Sequence, residues 1–119
     1  MYFVNLKWKK RDSTDHIYVV KRDLKGVSTK ELRTNCYRKG NLDLGYHFVV
    51  RANGTVDEGR PEYTYAGWWF DDDEHCIAIL VDTPTGKISA SQKKAIEKLA
   101  ANYPDAKIEE VEVDEKEEM

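Results

Sequence analysis

A chain of 119 residues, 40% hydrophobic and 34% charged, suffices for one packed domain and not for two. No apolar run reaches the length of a membrane span, and Lys7, Lys9, Lys10 and Arg11 interrupt the only apolar start; neither a spanning helix nor a signal peptide is expected, and the expected location is the cytoplasm. The net charge of −3 divides into +7 over residues 1–40 and −10 over the remainder, an asymmetry that marks either a partner surface or two separately solvated faces.

Tyr2, Val4, Leu6 and Trp8 alternate with Asn5, Lys7 and Lys9, the pattern of a half-buried strand near a sheet edge. Ser13-Thr14-Asp15 reads as a turn. His16 to Val20 reads as a second strand, with Ile17 and Val19 on one face and His16, Tyr18 and Val20 on the other. Lys21 to Val27 is a polar connection. Ser28 with Glu31 forms a capping box that opens a helix, Leu32 and Cys36 share its apolar face, and Gly40 fits the position that stops it.

Gly45 to Pro61 reads as a β-hairpin. Phe48, Val49 and Val50 form one strand, and Thr55 and Val56 begin the return. Asn53-Gly54 is expected to take positive φ at both turn positions. Tyr63, Tyr65, Trp68, Trp69 and Phe70 crowd the next stretch, followed by Asp71-Asp72-Asp73-Glu74. Cys76 to Val81 is continuously apolar, as in a central strand covered on both faces. Ser89 with Gln92 is a second capping box, opening a helix lined by Ile96, Leu99 and Ala100. A last short strand fits within Ala106–Val113. The segment from Glu109 to Met119 carries seven acidic residues and one lysine, so the division expected is a domain over 1–108 and an acidic tail over 109–119. Strands alternating with helices predict an α/β fold, a single mixed sheet with helices packed on its faces.

Gly45-Tyr46-His47-Phe48, Asn53-Gly54-Thr55-Val56 and Glu58-Gly59-Arg60-Pro61-Glu62 together resemble the central motif of the zinc-dependent N-acetylmuramoyl-L-alanine amidases. That family includes the peptidoglycan recognition proteins and the small amidase-type lysozymes of phages. The phage lysozymes resemble this chain over more of its length, from Arg11-Asp12-Ser13-Thr14-Asp15 to near Ala106. The resemblance implies an α/β amidase fold and a zinc ion held by two histidines and a later histidine or cysteine, which would polarise the scissile carbonyl and acidify a bound water.

The residues at those positions depart from the pattern. The first ligand is a histidine after an apolar triplet; here Ile17-Tyr18-Val19 leads to Val20. His16 lies on the same strand face, but about 13 Å away at strand rise. The second ligand follows Gly-Ser or Gly-Ala; here Ala66-Gly67-Trp68 leads to Trp69. Against the third ligand stands Ile108 to Val113, no His or Cys follows Cys76, and the C-terminal end reads as truncated relative to the family. Tyr46 matches a tyrosine that assists the family's chemistry beside the metal, and here it is either vestigial or an ordinary sheet residue. The remaining His16, His47, His75, Cys36 and Cys76 show no ligand spacing. No Gly-x-Ser-x-Gly or Cys–His arrangement offers another hydrolase.

The expectation is therefore a protein with no catalytic residues, no metal and no cofactor, acting by binding. Some phage lysozymes of this kind also bind and inhibit a phage RNA polymerase through the N-terminal segment. By that resemblance Lys7, Lys9, Lys10 and Arg11 are candidate contacts to a protein partner, such as a polymerase or a host defence factor. The alternative is a muropeptide or nucleotide-like ligand in an aromatic cleft of Tyr18, Val20, Tyr46, Tyr65, Trp68 and Trp69, where the tryptophans either form a platform or fill a vacated site. Asp71 to Glu74 would repel phosphates at that rim, so no direct nucleic-acid contact is expected, nor a membrane one. An active peptidoglycan amidase would require a relocated site.

Overall fold

The structure, a computed structural model, describes residues 10–38, 44–65 and 75–112. The predicted first strand, Tyr2 to Trp8, and the proposed helix stop at Gly40 lie outside these residues. The elements in chain order are β1 (His16–Arg22), α1 (Thr29–Arg38), β2 (Phe48–Val50), β3 (Val56–Glu58), β4 (Cys76–Asp82), α2 (Ala90–Ala100) and β5 (Lys107–Val111). They build one mixed five-stranded sheet in the order β3-β2-β4-β1-β5. β2 and β3 pair antiparallel, and every other neighbouring pair is parallel.

β4 holds the centre because all seven of its residues are buried. Its Ile77, Ile79 and Val81 join Ile17, Val19, Phe48, Val50 and Ile96 on the α2 face. Its Cys76, Ala78 and Leu80 join Val20, Leu24, Tyr46 and Val49 under Leu32 and Cys36 of α1. One helix thus covers each face, as the two apolar stripes require.

Ser28 caps α1, its hydroxyl accepting from the Glu31 N–H at 3.1 Å. Ser89 and Gln92 close a reciprocal capping box on α2. Buried Gln92 does more than cap: its amide donates to the Asp82 carbonyl at 2.5 Å and the Arg51 carbonyl at 3.1 Å, pinning α2 to β4 and to the hairpin.

Two local expectations are corrected. β1 runs two residues further than the apolar pattern, because Lys21 and Arg22 pair with Val81 and Asp82 of β4. The hairpin turn has positive φ at Gly54 alone. The Gly54 N–H donates to the Arg51 carbonyl and the Arg51 N–H to the Thr55 carbonyl, giving a three-residue loop with glycine in the left-handed position. β5 falls inside the Ala106–Val113 stretch read as a last short strand, with Glu109 and Glu110 paired to Tyr18 and Val19. Residues 113–119 lie outside the described structure. Among the described residues no helix is long and apolar enough to cross a membrane.

Candidate functional site

The hairpin segment and the strands beside it converge on His47. Residues 44–50 are buried without a break, and His47 is the polar one among them, 0% exposed. Its main-chain N–H donates to the Ala78 carbonyl at 2.8 Å. The Ala78 N–H in turn donates to His47 Nδ1 at 3.0 Å, so an imidazole nitrogen serves where a ladder carbonyl would otherwise stand. Nδ1 therefore carries no proton, Nε2 does, and Nε2 donates to the Thr64 carbonyl at 2.7 Å. Burial pushes the His47 pKa down to about 3; the bond to Thr64 opposes this, and the charges of Arg11 and Arg60 add to it. The ring is neutral at pH 7 and both of its nitrogens are committed.

Two arginines brace this centre. Arg60 donates from Nε to the Leu44 carbonyl at 2.7 Å and from Nη1 to the Tyr65 carbonyl at 2.6 Å, tying the segment before Tyr46 to the segment that follows Thr64. Arg11 donates from Nε to Thr14 Oγ1 at 2.7 Å and from Nη1 to the Glu62 and Thr64 carbonyls at 2.5 and 2.8 Å. Its guanidinium also lies 5.6 Å from the centre of the Tyr103 ring. The Tyr103 hydroxyl bonds Glu62, and burial, with that carboxylate, raises its pKa to about 12.

Arg11, expected as a partner contact, is half-buried, and its side chain forms a clasp joining the start of β1 to residues 62–64 and to Tyr103. Lys10 is exposed, with a bridge to Thr64, while Lys7 and Lys9 lie outside the described residues. Replacing Arg11 with Glu should cost about 3 kcal/mol or more of stability, since several charge-assisted hydrogen bonds are lost. Lys10→Glu should stay within about 0.5 kcal/mol. Urea denaturation of the two variants checks the contrast.

Of the residues read as a ligand cleft, Tyr18, Val20 and Tyr46 come together on the α1 side of the sheet. Val20 is 1% exposed and Tyr46 3%, so both are core side chains. Tyr18 is half-buried, stacked on His16 with ring centres 5.3 Å apart. Tyr65 is half-buried and tied through its carbonyl to Arg60. Trp68 and Trp69 lie outside the described residues.

The donor set that zinc would need is not assembled among the described residues. Val20 offers no donor atom, His47 has both nitrogens engaged, and His75 Nδ1 lies 3.1 Å from Ser13 Oγ. Cys36 and Cys76 are buried. No three His, Cys, Asp or Glu side chains among the described residues are placed to hold a metal ion.

The role of His47 went unread in the sequence. The available signal was a lone polar side chain inside an unbroken apolar run between Tyr46 and Val50.

No protein-family model matches the chain. Over 60 residues it is 38% identical to the endolysin of Escherichia phage T7, covering 48% of this chain and 40% of that protein. Endolysins of Enterobacteria phage T3 and Klebsiella phage KP32 match at 35% over 60 residues, again 40% of each. The aligned part thus spans about two fifths of these relatives' length. Among solved structures, a variant of Drosophila PGRP-LB superposes with a TM-score of 0.75 at 15% identity, covering 95% of this chain and 81% of that one. PGRP-Hd from Alvinella pompejana gives 0.71 at 21% identity, covering 87% and 77%. The N-acetylmuramoyl-L-alanine amidase LysC from Clostridium intestinale gives 0.64 at 18%, covering 86% and 76%. Sequence and fold point the same way: the chain is a relative of the phage endolysins, built on the fold of the N-acetylmuramoyl-L-alanine amidases and peptidoglycan recognition proteins.

Proposed function

We propose that this chain is a non-catalytic binding protein on the amidase fold, of phage or prophage origin, that regulates or inhibits a protein partner in the cytoplasm. Val20 carries the reading. It occupies the position that the resemblance gives to the first zinc ligand, has no donor atom, and is packed among Leu24, Leu32 and Tyr46. His47, next to the vestigial Tyr46, is held neutral by two hydrogen bonds and has no nitrogen left for a metal or a substrate. A site that requires three converging donors loses its function when one is replaced by a hydrocarbon.

The contact surface in this reading is the basic N-terminal segment, with Lys7, Lys9 and Lys10 as its charges and Arg11 as its internal brace. A polymerase or a host defence factor fits the proposed class of partner. Native mass spectrometry of the untagged protein from its producing or infected cells tests this directly. The expected result is a complex with one larger protein. Its dissociation by Lys7→Glu, Lys9→Glu and Lys10→Glu together, with an unchanged thermal midpoint, is expected as well. A chain carrying one zinc ion and no partner would overturn the reading.

A further inference from the structure

The chain leaves β1 and β4 in opposite directions. After β1 it goes to α1, packed on one face; after β4 it goes to α2, packed on the other. The two strands are parallel neighbours that end in register at Arg22 and Asp82. Connections that part in this way open a crevice at the carboxyl ends of the strands, the place where open α/β sheets commonly take ligands.

A crevice of about 640 Å³ lies there, between the connection after β1 and the loop after β4 that carries Thr83 and Gly86. Three cations line it, Lys21, Arg22 and Lys25, against the carboxylates of Asp23 and Glu112. Asp23 is turned to its own loop, accepting from the Lys25 N–H at 2.9 Å. Asp82, at the end of β4, is also compensated: one oxygen accepts from the Leu24 N–H at 3.0 Å and the other lies 3.9 Å from Arg51 Nη2. Lys21 pairs with Glu110 at 3.3 Å, with both groups well exposed, where such a pair is weak and readily exchanged for a ligand. Among the described residues, the side chains lining the crevice are charged or small and none is aromatic.

We infer that this crevice is a binding site for a small oxyanion-bearing molecule, a phosphate or a carboxylate, held by Lys21 and Lys25. Its lining includes neither Val20 nor Tyr46, and it does not depend on the proposed partner. Oxyanions are recognised by converging cationic donors, and charge-assisted bonds to them are the strong ones.

The test is an NMR titration of the ¹⁵N-labelled protein with inorganic pyrophosphate and, separately, with citrate, at fixed ionic strength. Saturable shifts are expected at the amides of Lys25, Thr83 and Gly86. Response to pyrophosphate alone assigns a phosphate ligand, and response to citrate alone assigns a carboxylate. Lys21→Gln with Lys25→Asn should weaken binding about tenfold or more, the equivalent of about 1.4 kcal/mol. Asn is chosen because Lys25 has a φ of 51°. Lys94→Gln with Lys98→Gln removes the same charge from α2 and should leave the affinity unchanged. Absence of saturable shifts with both anions, or equal weakening by the two double variants, would overturn the inference.

Discussion

Gly59→Ala should unfold the protein or lower its stability by about 4 kcal/mol or more. A Cβ built at Gly59 falls 2.1 Å from the Tyr46 carbonyl oxygen, far inside van der Waals contact. The obstacle is main chain, so no rotamer change relieves it. Nor can the backbones separate cheaply: the Gly59 N–H donates to the His47 carbonyl and the Arg60 N–H to the Tyr46 carbonyl, each at 2.9 Å. Moving Gly59 away breaks both and displaces the Arg60 clamp on Leu44 and Tyr65. The requirement is one of space; Gly59 does not occupy the left-handed region. Gly86→Ala is the control, since its Cβ meets nothing within 4 Å and only the φ of 78° is strained. It should cost roughly 1–2 kcal/mol. Thermal and urea unfolding of the two variants measures the difference.

The second large effect is the pH dependence imposed by His47. Its folded pKa of about 3 lies below the unfolded value of 6.5. Between those values the unfolded chain binds the proton and the folded one does not, so stability rises with pH through this window and is lost as pH falls from 6.5 toward 3. Across the whole window the contribution is about 4–5 kcal/mol, approaching about 1.4 kcal/mol per pH unit in its middle. Urea midpoints across the window should therefore fall as acid is added. The ring nitrogen shifts of His47 should stay those of the Nε2–H tautomer until unfolding. Titration of the folded ring near 6.5 would contradict the assignment. His47→Leu removes the proton site and leaves the buried Ala78 N–H unpaired, while the Thr64 carbonyl keeps its bond from Arg11. It should cost about 2–5 kcal/mol at pH 7 and flatten the acid side of the profile.

The elements that depend on local pattern were legible in the sequence. The alternation of Ile17 and Val19 against Tyr18 and Val20 gives β1 and its two faces; the Ser28/Glu31 and Ser89/Gln92 boxes give the starts of both helices; the unbroken apolar run from Cys76 gives the central strand. What was hidden depends on pairing across long stretches of chain. Arg11 reads as one more basic residue until the fold sets Glu62, Thr64 and Tyr103 around it, 51 to 92 residues away in sequence. Gly59 reads as the end of a strand, yet its need for a hydrogen in place of a Cβ comes from the Tyr46 carbonyl. The hairpin shows the limit in small: Asn53-Gly54 announces a turn, but the pairing of Val50 with Val56 decides that the loop holds three residues and that glycine alone takes positive φ. At the candidate site, the lack of a donor atom at Val20 was visible directly, whereas the commitment of both His47 nitrogens required the position of Ala78.

The proposed binding role uses an amidase fold without amidase chemistry. The most direct test is release of soluble peptides from purified peptidoglycan by the full chain, with and without added zinc, beside the endolysin of phage T7 as positive control. No release above the protein-free background is expected at any zinc concentration. Release that requires both this protein and zinc would contradict it.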